Sequence, residues 1–198
     1  MSWPVDWIAL RLSASVAIRA ARTCTARYEE QTSTRCLDCV SLRQTRESLL
    51  MQEKRAGGCP CGECRFLFTG EPNSVIVCHC TNCQSWTGSV CMVSVWVPAD
   101  ALQITKGQPE TNRTGESITN YYCGSCIRHL FHENLQHPGL RCVQGGLFDD
   151  TSWITPCAHL WTRSAQPWIA IPSDVPTYAT QPEDESELMG LWRSRASD

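Results

Sequence analysis

The chain has 198 residues, of which 42% are hydrophobic, and a formal net charge of −3. This size and composition predict one domain with a hydrophobic core and short extensions, not a chain that is disordered throughout. No run of about 20 apolar residues occurs, so no membrane span is expected. Residues 57–198 carry 14 acidic and 8 basic side chains. We therefore expect no nucleic-acid partner, because phosphate binding needs a basic face.

The first 56 residues differ from the rest and predict an N-terminal extension that is partly helical or disordered. Residues 1–28 contain four arginines but only one acidic residue, Asp6, a pattern weakly similar to a mitochondrial presequence. A variable or poorly ordered extension is the simpler interpretation. The pair Cys36 and Cys39 is a CxxC motif with no partner pair close by, which is a weak signal for a metal or redox site.

Short elements follow in chain order. Ser41 and Gln44 fit a capping box, so a short helix is predicted over 41–55. From Gly57 onward, strand patterns alternate with Gly and Pro and predict a mainly β domain. The predicted strands are 65–69, 74–77, 90–97, 102–105, 117–122, 129–132, 140–143 and 158–162. A loop is predicted over 108–116.

The domain is predicted to extend over residues 57–178 and to be followed by an acidic C-terminal tail, 179–198. A short helix is predicted within this tail over 186–193, with Leu188, Leu191 and Trp192 packing back on the domain. Strands this short bury little apolar surface, so bound metal would supply stability that the core lacks.

Fourteen cysteines are many for this length. A secreted disulfide scaffold is one explanation, but no secretory signal is recognisable at the N-terminus. The cysteines also cluster at spacings of one or two residues, which is typical of metal ligands in a reducing compartment. We therefore expect a cytoplasmic protein, with a mitochondrial location as the weaker alternative.

Two cysteine pairs are spaced to share one ion. Cys59 and Cys61 form a CxC motif, whose side chains face the same side of an extended backbone, and Cys123 and Cys126 form a CxxC turn. Together they would make a closed Cys₄ zinc site. The alternative is two disulfides between near neighbours, which would be strained. Cys64 repeats the spacing of the later cysteine group, so spacing alone does not decide whether it joins this site.

A third group, Cys78, Cys80 and Cys83, has no second pair left to complete it. Three thiolates leave one coordination position for water or substrate, which is the usual form of a catalytic zinc. His79 is a poor further ligand, because on a strand it points away from its neighbours. The alternative is a closed site whose fourth ligand is a histidine or one of Cys64, Cys91, Cys142 and Cys157.

Five ordered segments carry a resemblance to a known family. They are GGCPCGECRF at 57–66, CHCTNCQSWTGS at 78–89, YCGSC at 122–126, GGLFDD at 145–150, and HLW at 159–161 followed by PW at 167–168. The chain resembles the glutathione-dependent formaldehyde-activating enzyme family, also called the CENP-V/GFA domain, over roughly residues 57–178. Ile127 and Arg128 depart from the family pattern, which usually has glycine and a small hydroxyl residue there.

The resemblance implies an Mss4-like fold of layered, mostly antiparallel sheets, stabilised by two zinc ions per chain. It implies a structural zinc on Cys59, Cys61, Cys123 and Cys126. It also implies a second zinc on the catalytic group Cys78, Cys80 and Cys83, and it leaves Cys64, where the family usually has an apolar residue, outside both sites.

The activity implied by the resemblance is that of a carbon–sulfur lyase, similar to S-(hydroxymethyl)glutathione synthase. Its partner is glutathione or a related small-molecule thiol, which adds to formaldehyde or a similar small electrophile. Arg65, Arg128 and Arg163 are candidates for binding the substrate carboxylates, with surface ion pairs as the alternative role. The alternative function is a non-catalytic, zinc-stabilised Mss4-like binding module. The sequence does not indicate an oligomeric state.

Five further residues are predicted to support the fold or line a pocket. Asp149 and Asp150 fit a turn better than an acid–base role. The side chains of Trp86, Trp161 and Trp168 are expected in the core or in a pocket wall.

Overall fold

A computed structural model describes residues 53–195 of the chain. Its strands, in chain order, are β1 (Lys54–Gly58), β2 (Arg65–Thr69), β3 (Ser74–Cys78), β4 (Met92–Pro98), β5 (Leu102–Lys106), β6 (Glu110–Thr114), β7 (Ile118–Tyr122), β8 (His129–Asn134), β9 (Leu140–Gln144) and β10 (Ala158–Leu160). Two α-helices are present in this range, α1 (Thr81–Thr87) and α2 (Ser186–Arg195). The predicted mainly β fold is confirmed.

The strands form two sheets. The smaller has the order β1-β2-β5 and the larger has the order β10-β3-β4-β9-β8-β7-β6. Neighbouring strands are antiparallel except for β3 and β10, which are parallel. Neither α-helix in the described part of the chain is long and apolar enough to cross a membrane.

One face of the large sheet supplies the core. Val75, Val95, Val143 and Phe131 are successive cross-strand partners on β3, β4, β9 and β8, and all four are buried. Because opposite residues of paired strands project from the same face, they form one apolar row. Phe66 and other β2 residues join the same buried cluster, which links the two sheets.

The opposite face of the large sheet is polar, yet it is also buried at its centre. Cys142 on β9 lies between Trp96 on β4 and His132 on β8, and His132 faces Asn120 on β7. All but Trp96 are buried. The Asn120 amide donates hydrogen bonds to Asn112 Oδ1 at 3.0 Å and to the hydroxyl of Thr114 at 2.8 Å. Antiparallel sheets commonly leave such a polar face to water, whereas three of the four residues of this row are buried.

One predicted element is wrong, and a second lies mostly outside the described residues. The predicted loop over 108–116 contains strand β6, which lies at the edge of the large sheet with every residue exposed. An edge strand without a buried face does not need alternating apolar and polar residues. Its sequence therefore resembles that of a loop. The predicted helix over 41–55 lies mostly outside the described residues, as do Cys36, Cys39 and the presequence-like segment. Its last residues, Lys54 and Arg55, belong to β1.

The short helix predicted over 186–193 is present as α2. Its Leu188 and Trp192 are buried in the core cluster, and the helix contacts β3. The Cys157 thiol donates a hydrogen bond to the carbonyl of Leu188 at 3.6 Å. This C-terminal helix therefore packs on the core and contributes apolar burial to the stability of the domain.

Replacing Trp192 tests this contribution. The side chain is 6% exposed, so Trp192→Ala should lower the free energy of unfolding by about 3 kcal/mol through lost burial and the cavity left behind. Urea denaturation of the full chain measures the change. The control Glu183→Ala alters an exposed residue nearby and should shift stability by less than about 0.5 kcal/mol. Equal free energies of unfolding for the two variants would show that the packing of Trp192 does not stabilise the domain.

Candidate metal centres

Two turns from distant parts of the chain bring four cysteines together. Cys59 and Cys61 lie between β1 and β2, whereas Cys123 and Cys126 lie between β7 and β8. Their sulfur atoms all lie within 4.8 Å of one another, with 3.3 Å between Cys59 and Cys61 and 3.7 Å between Cys61 and Cys123. Sulfurs around a tetrahedral zinc lie about 3.8 Å apart. The four-cysteine group therefore has the size and donor chemistry to hold zinc.

Cys64 lies beside this group without belonging to it. Its backbone amide donates a hydrogen bond to the sulfur of Cys59 at 3.2 Å, and Cys59 donates its own amide to the Cys64 carbonyl at 3.0 Å. Burial raises the pKa of the Cys64 thiol to about 11, which favours its neutral form. Its sulfur is not among the four that lie within 4.8 Å of one another. In this structure Cys64 shapes the turn that carries Cys59.

The turn after Cys126 contains a strained residue. Ile127 has a φ of 58°, in the left-handed region, and its amide donates a hydrogen bond to the carbonyl of Cys123 at 2.8 Å. The left-handed conformation crowds the Cβ atom and costs roughly 1–2 kcal/mol for a residue other than glycine. This is the position at which the family resemblance leads us to expect glycine, and the positive φ gives the physical reason.

The second group lies where β3 passes into α1. Cys78 ends β3, Cys80 caps α1, and Cys83 lies in the first turn of that helix. The three sulfurs lie within 4.8 Å of one another. The sulfur of Cys80 accepts a hydrogen bond from the backbone amide of Cys83 at 3.3 Å. The helix, which was not predicted, turns Cys83 back towards the two cysteines that precede it.

Within residues 53–195, no histidine, cysteine, aspartate or glutamate supplies a fourth ligand atom to this three-cysteine group. Cys64, Cys91, Cys142 and Cys157, which were considered as alternatives, lie outside it. His79 is turned elsewhere, with its Nε2 at 2.9 Å from Nδ1 of His159 in a buried, stacked pair. Residues 53–195 therefore offer three sulfurs at this site, which would leave one position of a tetrahedral metal ion without a ligand from this part of the chain.

The electrostatics of the three-cysteine group favour a cation. The side-chain hydrogen bond from Cys83 lowers the pKa of Cys78 to about 6, and the same contact raises the pKa of Cys83. One thiolate is thus stabilised by a neighbouring thiol, whereas three thiolates this close would repel one another without a positive charge between them. Thiolate ligands suit zinc and other soft ions, so the donor set fits zinc.

A network of hydrogen bonds braces the segment between Cys78 and Cys80. The side-chain amide of Gln84 donates to the carbonyls of His79 and Ser164 at 2.7 and 2.8 Å. Gln166 donates to Oε1 of Gln84 at 2.8 Å, and the Ser164 hydroxyl donates to the same His79 carbonyl at 3.1 Å. Gln84 therefore ties the first turn of α1 to the loop after β10, and it holds the backbone on which the cysteines are placed.

Several other predicted residues have structural partners. Arg65 forms an ion pair with Asp149. Asp150 accepts a hydrogen bond from the amide of Ser152 at 2.9 Å, which is the geometry of a turn. The guanidinium of Arg163 lies 4.9 Å from the centre of the Trp161 ring. Arg65 and Asp149 thus form a surface ion pair, and Asp150 stabilises a turn.

Sequence reasoning missed a pair of histidines near α1. His129 and His132 are buried, and the ring of Trp86, on α1, lies 4.1 and 5.3 Å from theirs. Their spacing of three residues would place them on opposite faces of a regular strand. A β-bulge, in which Leu130 is the extra residue opposite β7, brings both to one face. In the sequence, only the His-x-x-His spacing indicated that these two histidines could lie close together.

Comparison with known proteins gives a clear family match. The family model described as glutathione-dependent formaldehyde-activating enzyme matches residues 54–164. A crystal structure of a Rhodobacter sphaeroides protein aligns at 14% identity with a TM-score of 0.40, covering 62% of this chain and 98% of that one. No curated protein matches the sequence.

Ile127→Gly should raise stability. The change relieves left-handed strain of roughly 1–2 kcal/mol, partly offset by about 0.5–1 kcal/mol of extra backbone entropy in the unfolded chain. Thermal unfolding of the zinc-loaded protein measures the effect. Leu135→Gly is the matched control, because Leu135 is similarly exposed but does not have a positive φ. If both glycine variants lose stability, Ile127 is not strained.

Gln84→Leu should weaken zinc retention at the three-cysteine group. The substitution removes hydrogen bonds to the backbone that carries the cysteines, and loss of such outer-shell support typically lowers metal affinity by at least about tenfold. Competition with a chromogenic chelator measures zinc release, and one of two zinc ions should leave more readily. Gln136→Leu, at an exposed site, should release zinc as the unchanged protein does. Identical zinc-release curves for both variants would show that the Gln84 hydrogen bonds do not contribute to zinc retention.

Proposed function

Because this chain belongs to the glutathione-dependent formaldehyde-activating enzyme family, we propose that it is a zinc-dependent carbon–sulfur lyase. The proposed reaction adds glutathione, or a related thiol, to formaldehyde or a similar small electrophile. In the formaldehyde case the thiol loses its proton, a sulfur–carbon bond forms, and the carbonyl oxygen gains a proton. The product is S-hydroxymethylglutathione.

One observation carries the proposal: the described chain groups three sulfurs at Cys78, Cys80 and Cys83 and supplies no fourth ligand. Structural zinc sites usually have four protein ligands, whereas catalytic sites keep a position open. The four-cysteine group of the same chain is the internal comparison, because it has a complete set. The difference between the two groups supports a structural role for one and a catalytic role for the other.

The residues have distinct roles in this proposal. Cys59, Cys61, Cys123 and Cys126 would hold a structural zinc that joins the two turns. Cys78, Cys80 and Cys83 would hold the second zinc. A zinc ion bound there favours the thiolate form of a thiol or polarises a carbonyl. Arg128, which is exposed after β7, and Arg163, in the loop after β10, remain candidates for the substrate carboxylates.

The competing proposal is a non-catalytic binding module in which both zinc ions only stabilise the fold. The closed four-cysteine group is equally compatible with that role. The two proposals differ in what the three-cysteine group must do. An enzyme needs it for turnover, whereas a binding module needs it for folding.

Cys80→Ser separates the two functions. With glutathione and formaldehyde, we expect turnover to fall by at least about 100-fold and zinc content to fall from two ions to one, while the circular dichroism spectrum is retained. Cys91→Ser is the matched control, because Cys91 lies close to the group in sequence but outside it. Unfolding of Cys80→Ser would favour the binding module, and full turnover in that variant would exclude the proposed catalytic centre.

A further inference from the structure

We infer that Trp86, His129 and His132 form a second part of the substrate site, which binds the amide groups of a peptide thiol. This inference rests on the proposed function, since it gives the thiol substrate of that reaction a peptide character. The three residues are called the imidazole subsite below. They lie beside the three-cysteine group and are not part of it.

Unpartnered nitrogen atoms mark the subsite. His129 is 9% exposed, and neither Nδ1 nor Nε2 has a hydrogen-bond partner within the described residues. His132 is 6% exposed, and its Nδ1 is likewise without a partner in that range. A buried polar group left without a partner costs about 1–3 kcal/mol, so such groups in native proteins usually have a function. Three such nitrogens in one place indicate a ligand.

The position of the subsite connects it to the candidate catalytic centre. Cys83 and Trp86 are three residues apart on α1, so their side chains are neighbours on one face of the helix, with Cβ atoms about 5–6 Å apart. The Trp86 ring lies 4.1 Å from that of His129, and the two histidine rings are 5.8 Å apart. A substrate whose sulfur lies at the cysteines could therefore extend past Trp86 to the imidazoles.

The chemistry of the subsite favours an uncharged polar group. Burial lowers the pKa of His129 to about 3 and that of His132 to about 4, so both rings are neutral at pH 7. A neutral imidazole has one donor and one acceptor nitrogen. A peptide amide also has one donor and one acceptor and so matches a neutral imidazole, whereas a carboxylate only accepts. Within residues 53–195, no third ligand atom joins the two rings to make a metal site.

Trp86 is the entrance to the subsite. Its side chain is 38% exposed although it covers two buried rings, and no described residue accepts a hydrogen bond from its indole. Rotation of this side chain would uncover the imidazoles without breaking a hydrogen bond. The flat indole can then contact the amide plane of the bound thiol.

Binding of S-methylglutathione tests the inference, because this ligand keeps the two amides of glutathione and has no thiol. Titration calorimetry on the zinc-loaded full chain should show binding that weakens about fivefold or more in His129→Leu and in Trp86→Ala, the loss expected for about one hydrogen bond. Zinc content should stay at two ions in both variants. The control Leu135→Ala alters a side chain that is 72% exposed and should bind S-methylglutathione normally.

Turnover with two thiols gives a second readout. With formaldehyde, His129→Leu should raise the KM for glutathione about fivefold or more and leave the rate with 2-mercaptoethanol, which has no amide, unchanged. Unweakened S-methylglutathione binding in both variants, or no binding by the unchanged protein, would overturn the inference. A loss of turnover in His129→Leu that is equal for glutathione and 2-mercaptoethanol would also overturn the inference. If the unchanged protein turns over neither thiol, the proposed function fails, and the calorimetry still decides the subsite.

Discussion

The contact between the sulfurs of two distant turns is the constraint on which the rest of the structure depends. It joins the β1–β2 turn of the small sheet to the β7–β8 turn of the large one, across 62 residues of sequence. Strands of five or so residues bury little apolar surface, so a zinc ion held by these four cysteines would add stability where the two turns meet. The same turn forces Ile127 into a left-handed conformation and leads directly into the bulge that orients His129 and His132.

The two cysteine groups differ because of the elements that carry them. The four-cysteine group is built from two turns, each of which supplies a pair, so that it closes on itself. The three-cysteine group is built from one continuous segment, in which a strand ends and a helix begins, and it receives no ligand from another described element. Its neighbours supply support instead, through the hydrogen bonds of Gln84 to His79 and Ser164. This difference underlies the proposed division between stability and catalysis.

Much of the fold and the cysteine grouping could be predicted locally. Strand β2 has the predicted bounds, and most other strands and α2 lie where hydrophobic alternation and turn residues place them. The fully exposed strand β6 was missed, because nothing in its own residues distinguishes an edge strand from a loop. Helix α1 was missed because its seven residues bury none of their side chains and so show no apolar face.

By itself, the sequence determined the family, the mainly β class and the spacing within each cysteine motif, because metal-ligand spacing is a local property of the chain. Only the tertiary structure decided that Cys64 stays outside the four-cysteine group and that no described residue completes the other. It also decided that His129 and His132 share one buried face next to Trp86. These outcomes depend on strand register, on one extra residue in β8 and on the approach of separate elements, and none of these is encoded in the spacing of neighbouring residues.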